Sequence, residues 1–107
     1  MTMISVSSER DRGVLTVAVS GDVDLATGPA VSDAIGDALA AEGAELVRVD
    51  LAGVRFLDSS GIALLLRGRR EADERGLGFQ VVGARGVTLQ VLEVTGVLAH
   101  LSGETEL

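Results

Sequence analysis

Two short acidic stretches and one histidine are the places where this chain could do chemistry. Asp58-Ser59-Ser60-Gly61 sets a carboxylate beside two hydroxyls immediately before an apolar run. A strand-to-helix junction of this kind exposes backbone N–H groups and the positive end of a helix dipole, which suits an anion such as a phosphate. The same residues also read as a helix cap, with Asp58 or Ser59 accepting the first backbone N–H groups. Spacing leaves both readings open. Asp22 and Asp24 lie two apart, so on an extended segment they project to one side, at the end of a strand where ligand-facing groups commonly sit. With Asp58 they could hold Mg²⁺, but such a site also needs a substrate phosphate and fixed geometry. The stronger reading has Asp24 or a neighbour satisfying turn and helix-start N–H groups.

His100 is the only histidine, and the chain has no lysine and no cysteine. A nucleophile–base pair or an imidazole metal site lacks its partners, so His100 reads as a surface histidine. Without lysine a Walker phosphate loop is excluded, and the dinucleotide fingerprint fails because Gly76 and Gly78 are followed by Val81 where a third glycine belongs. No catalytic residue, cofactor or metal is expected. A nucleotide-binding or weakly hydrolytic reading has only the helix N-termini beside Asp22 and Asp24 in its favour.

Composition narrows the classes further. The net charge is −7, sixteen acids against nine arginines, which repels phosphate backbones and anionic membrane surfaces; neither nucleic acid nor membrane is an expected partner. The absence of cysteine removes disulfides and thiolate sites and leaves the redox compartment open. The first residues show no basic segment followed by a long apolar stretch, and the longest apolar run, Ile62 to Leu66, is five residues against the roughly 20 of a membrane helix. A soluble cytoplasmic protein is expected. Only Phe56 and Phe79 are aromatic, so the core must be aliphatic and stacking platforms for bases are not available.

The elements that would position these residues follow from periodicity. The 107 residues suit one domain of about 100–150 residues. Residues 3–8 alternate loosely and Val14 to Val19 is rich in β-formers; Glu9 to Gly13 between them suits a hairpin loop. Val31, Ala34, Ile35, Ala38 and Leu39 fall at helical spacing, with Thr27 or Gly28 as cap and Pro29 in the first turn, and the helix should end near Gly43. Leu46 to Leu51 alternates as a strand buried mainly on one side, and Ala52 to Leu57 reads as a loop tucked against the core. A second helix opens at Asp58-Ser59-Ser60-Gly61, with Ile62, Leu65, Leu66 and Ala72 toward the sheet, and stops at Gly76. Its charges pair four apart as Arg67–Glu71, Arg70–Glu74 and Glu71–Arg75. Residues 77–82 form a further strand, Gly83 to Gly86 a loop, and Val87 to Val94 a short final helix ending around Gly96, with 102–107 expected to fray. The order β-β-α-β-α-β-α implies an α/β fold with a mixed, mostly parallel sheet of four to five strands and right-handed crossovers.

Val49-Asp50-Leu51-Ala52-Gly53-Val54-Arg55-Phe56-Leu57-Asp58-Ser59-Ser60-Gly61-Ile62-Ala63-Leu64-Leu65 resembles the central signature of the STAS domain, specifically of the bacterial anti-sigma factor antagonists: strand, Asp-Leu-x-x-Val-x-x-(Met/Leu)-Asp-Ser-Ser/Thr-Gly, helix. Gly21-Asp22-Val23-Asp24 resembles the family's Gly-Glu-(Leu/Val/Ile)-Asp, and Val91-Leu92-Glu93-Val94-Thr95-Gly96-Val97 its late Leu-x-(Leu/Val)-(Thr/Ala)-Gly-(Leu/Val) element. The likeness spans nearly the whole chain and implies a single STAS domain over residues 1–107. Asp22 departs from the usual glutamate, and Ile62-Ala63-Leu64 stands where the family often has Leu-Gly-(Val/Leu).

The resemblance implies a non-enzymatic protein. Its unphosphorylated form would bind an anti-sigma factor that is also a serine kinase of the histidine-kinase-like ATPase fold, and so release a sigma factor to RNA polymerase. That kinase would switch it off by phosphorylating the serine after the motif's aspartate, Ser59 here, with Ser60 second choice; a serine phosphatase would reset it. The expected docking surface comprises Asp22, Asp24, Asp58, Ser59, Ser60, Gly61 and Leu64, with Gly61, Leu64 and Gly68 on the exposed side of the helix, in a monomer or weak dimer; Leu64, off the stripe of Ile62, Leu65 and Leu66, reads equally as part of a wide core stripe. The alternative is a STAS scaffold or accessory subunit that is never phosphorylated, bound to a transporter such as a lipid-transport ATPase or within a sensory assembly.

Overall fold

A computed structural model describes residues 3–94 of the chain. Strand β1 (Ile4–Asp11) turns at Arg12 and Gly13 into β2 (Val14–Val23); helix α1 (Gly28–Leu39) leads to β3 (Leu46–Leu57), α2 (Ser59–Arg75) to β4 (Gly78–Val82), and α3 (Gly86–Val94) follows. The sheet order is β1-β2-β3-β4, with β1 antiparallel to β2 and the other pairs parallel. Parallel neighbours joined by helices are what alternating strands and helices require. The element order and four strands agree with the sequence reading. The His100 and 102–107 expectations, and the motif from Thr95 onward, lie outside the described residues.

Alternation builds the core. Leu15, Val17 and Val19 of β2, Val47, Val49 and Leu51 of β3, and Phe79 and Val81 of β4 are buried, and Val31, Ile35, Ala38 and Leu39 of α1 and Leu65 and Ala72 of α2 join them in one cluster. The alternate residues Thr16, Ala18, Arg48, Asp50 and Gln80 are only half-buried. An aliphatic core of this kind gains its stability from apolar area, at roughly 25 cal/mol per Å² removed from water. No helix among the described residues is long and apolar enough to cross a membrane.

Three boundaries differ from the periodic reading. The hairpin is tight: β1 runs to Asp11, which pairs with Val14, so only two residues turn. Helix α1 stops at Leu39, because Ala40 to Gly43 already form a turn and Gly43 takes a positive φ of 77°. The largest difference is 52–57, which is strand and not loop. Register shifts between Ala18 and Ser20 and between Gly21 and Asp22 let β2 keep pairing as far as Val23 with Leu57. These irregularities break the two-residue period, so Val54 and Leu57 are both buried although three apart; a strict alternation test cannot see such a strand. Gly21 makes this possible: its φ is 108°, and a Cβ there would strike the Met3 carbonyl oxygen.

Helix α2 ends as its sequence predicts. Gly76 adopts the left-handed conformation (φ 73°), its N–H donates to the carbonyls of Ala72 and Asp73, and the Leu77 N–H reaches back to Ala72 O at 2.8 Å. Glycine carries no Cβ penalty there, which closes the helix and aims the chain into β4.

Candidate functional site

The carboxyl ends of the parallel strands β2 and β3 meet where the Asp58 N–H donates to Val23 O at 3.2 Å. That bond brings the Asp22–Asp24 segment beside the start of α2. Open α/β sheets commonly bind their ligands at such strand ends.

Asp58 is the N-cap of α2, in extended conformation, and its Oδ1 accepts from the backbone N–H of Ser60 (2.9 Å) and of Gly61 (3.1 Å) and from the Ser60 hydroxyl (2.5 Å). The Ser60 hydroxyl, and then the two N–H groups, hold the Asp58 carboxyl below the usual carboxylate range, against a partial desolvation that acts the other way. Ser60 is thus committed to the cap. Ser59 opens the helix, is exposed, and its hydroxyl makes no hydrogen bond among the described residues. It faces solvent at the positive end of the helix dipole, which favours negative charge.

The second acidic segment is a built turn. Asp24 Oδ1 accepts from the N–H of Ala26 (2.9 Å) and Thr27 (3.0 Å), the satisfaction of turn N–H groups anticipated for it. Thr27, the N-cap of α1, makes no side-chain capping bond. Its nearly buried hydroxyl instead donates to Asp22 O at 2.8 Å, accepts from the Asp24 N–H at 2.9 Å, and lies 3.2 Å from Asp24 Oδ1. Asp22 itself faces Arg55, Oδ1 to Nε 3.6 Å. An exposed pair of this length contributes about 0–1 kcal/mol. The three carboxylates therefore have separate partners, and among the described residues no group of three or more acids or histidines is gathered to hold a metal ion.

The helix face carrying Leu64 needs correction. Gly61 and Gly68, expected on the exposed side of α2, are buried, and Leu64 is buried as well, which is the wide core stripe and not the exposed contact. The reason is tertiary: α2 packs against α1 as well as against the sheet, so its apolar stripe is wider than one sheet would require, and Gly61 sits against Val23 and Leu57 at the ends of β2 and β3. Gly28 of α1 lies close enough that a Cβ on it would sit 3.3 Å from Leu64 Cδ2, and one on Gly68 would sit 3.0 Å from Phe79 Cζ and 3.2 Å from Ile35 Cγ2. Ile62 and Leu66, assigned to the sheet side, are half-buried. Of the three expected charge pairs, Glu71–Arg75 is formed (3.1 Å); Arg67–Glu71 and Arg70–Glu74 are not among the pairs of the described residues, while Arg69–Asp73 (3.4 Å) is a pair the stripe did not suggest.

Sequence reasoning missed Arg55 as the partner of Asp22, Thr27 as the knot of the acidic turn, and two large apolar residues at this end of the sheet, Leu25 (80% exposed) and Phe56 (47% exposed). Leu25 had a readable signal: an apolar residue in a turn, off the stripe of the helix that follows.

Comparisons with known proteins agree with this architecture. The family model described as Mlab, STAS domain matches residues 6–102. The chain is 32% identical over 94 residues to an anti-sigma-F factor antagonist of Mycobacterium tuberculosis, RsfB, covering 88% of this chain and 75% of the relative. It is 28% identical over 89 residues to an anti-sigma-B factor antagonist of Listeria monocytogenes, covering 83% and 77% respectively. The crystal structure of an anti-sigma factor antagonist from Mycobacterium paratuberculosis superposes with a TM-score of 0.79 at 34% identity, over 89% of this chain and 80% of that one.

Proposed function

The chain belongs to the STAS domain family, and from that membership we propose that it is a cytoplasmic anti-sigma factor antagonist that acts by binding and not by catalysis. The unphosphorylated chain binds an anti-sigma factor serine kinase and so releases a sigma factor; phosphorylation of Ser59 ends the binding, and a serine phosphatase restores it. The named relatives in Mycobacterium and Listeria support the antagonist role. The docking surface is the rim formed by Asp22, Asp24, Asp58, Ser59 and Ser60, with Gly61 and Leu64 shaping it from beneath.

The observation that carries the reading is the contrast between adjacent hydroxyls. Ser60 is bonded to the Asp58 carboxylate, whereas Ser59 is exposed and unbonded among the described residues. That supports Ser59 over Ser60 as phosphoacceptor. A phosphate adds about −1.5 to −2 charge and three acceptor oxygens, which the N-terminus of α2 tolerates by roughly 0.3–1 kcal/mol of favourable dipole interaction. Against a partner fitted to a neutral hydroxyl, and beside Asp22, Asp24 and Asp58, the same charge is repulsive. A loss of about 3 kcal/mol weakens binding more than 100-fold.

Incubation with ATP and each anti-sigma factor kinase of the source organism, followed by peptide mass spectrometry, tests this. A single phosphate on Ser59, absent in Ser59→Ala, is expected. The second reading is an accessory STAS subunit that is never phosphorylated. Partner binding indifferent to both Ser59→Ala and Ser59→Asp would select that reading.

A further inference from the structure

We propose that the groove between the N-terminal halves of α1 and α2 seats one apolar side chain of the anti-sigma partner, presented by a segment with a carboxylate on one flank and a cationic group on the other. The proposal rests on the antagonist reading and adds the contact that would give it pairing specificity.

The groove is a solvent-open cleft of about 320 Å³, at the small end of the range for ligand pockets. Its floor is apolar because Gly28 has no side chain and Leu64 lies directly beneath it. Pro29 and Leu25 stand on the rim, and Leu25 is 80% exposed. A lone exposed leucine means little, since much protein surface is apolar. Here it borders a recess with an apolar floor, and the two together form a site that an apolar side chain can fill.

The walls carry opposite charges. Arg67 of α2 borders one side and Asp33 of α1 the other. Neither has an ion-pair partner among the described residues: Glu71, one turn beyond Arg67, is taken by Arg75, and Arg69 is paired with Asp73. Asp24, which also lines the groove, has its Oδ1 committed to the turn. A cation and an anion on facing helices, neither paired among the described residues, select a segment of complementary polarity and fix its direction, which is how charge pairs contribute specificity.

The groove also reaches the first turn of α2, where the switch serine lies. Ser60 lines it, and Ser59 is the adjoining residue. A segment seated in the groove passes beside the hydroxyl that phosphorylation would charge, so one modification would disturb the whole contact.

The test uses the full chain and the anti-sigma factor kinase that phosphorylates Ser59, with Kd measured by calorimetry. Arg67→Glu and Ser32→Phe, which fills the groove from the α1 wall, are each expected to weaken binding about 10-fold or more. Arg67→Lys should retain most of the affinity, and Arg12→Glu, at the β1–β2 turn, should change nothing. Thermal unfolding of Arg67→Glu, a surface substitution, should match the wild type. Unchanged Kd for both groove variants, with Ser59→Asp still abolishing binding, overturns the groove and leaves the switch standing. Loss with Arg67→Glu alone overturns the apolar seat and leaves a surface ion pair. A wild-type chain that no anti-sigma factor binds overturns the antagonist reading, and the groove proposal with it.

Discussion

The Ser60 hydroxyl lies 2.5 Å from Asp58 Oδ1, and this one bond divides the labour between two neighbouring serines. Ser60 completes the cap of α2. Ser59, one residue earlier, presents its hydroxyl to solvent at the same helix end. Of these two hydroxyls, that of Ser59 is the one without a hydrogen-bond partner among the described residues.

The first prediction separates stability from affinity. Ser59→Asp is expected to leave the unfolding free energy within about 1 kcal/mol of the wild type, because the helix N-terminus accepts negative charge. Binding to the anti-sigma factor kinase should fall more than 100-fold in the same variant. Urea unfolding and calorimetry on one preparation check both parts, and a variant that loses binding only because it has unfolded would contradict the expectation.

A second prediction concerns Asp58. Its folded carboxyl is held below the ordinary carboxylate range by the Ser60 hydroxyl first and by backbone N–H groups after it. A depressed folded value means that the cap's contribution is present above the unfolded pKa and is lost as pH falls through the folded one. In Ser60→Ala the Asp58 midpoint should therefore move upward, toward an ordinary aspartate. Carboxyl-carbon NMR titration of the two proteins measures the shift; an unmoved midpoint would assign the effect to the backbone N–H groups alone.

Two helix glycines should respond oppositely to alanine. Gly36 lies within α1 and a Cβ there meets nothing within 4 Å among the described residues, so Gly36→Ala is expected to stabilise by about 0.4–1 kcal/mol. Gly61 is buried, and a Cβ on it would stand 3.0 Å from Val23 Cγ1 and 3.1 Å from Leu57 Cγ. Gly61→Ala is expected to cost about 1–3 kcal/mol through overpacking. Thermal unfolding of both variants gives the signs directly.

The acidic turn provides a fourth. Thr27→Val keeps the side-chain shape but strips the partner from the Asp22 carbonyl and the Asp24 N–H. Leaving such groups unsatisfied costs about 1–3 kcal/mol each. The melting temperature should drop, and amide exchange at Asp24 should accelerate relative to residues of β3. Thr27→Ser, which retains the hydroxyl, should largely restore both.

Much of this protein was written in its sequence. Local chemistry narrowed the cap of α2 to Asp58 or Ser59 and identified the Gly76 stop, the turn role of Asp24 and the order of strands and helices, because each depends on residues a few positions apart. The Asp-Ser-Ser-Gly junction was legible for the same reason. What the sequence left undecided was how far β3 runs and which side of α2 is covered. Register shifts between β2 and β3 carry the pairing to Leu57; α1 covers Leu64, the ends of β2 and β3 cover Gly61, and Gly68 lies between Ile35 of α1 and Phe79 of β4. Which of the two hydroxyls joins the cap needed three-dimensional geometry too, since both sit within reach of one carboxylate by spacing. Periodicity reports the faces of a single element, whereas burial and hydrogen bonding depend on its neighbours in space. Only the packing of α1 on α2 and the pairing of β2 with β3 supplied those neighbours.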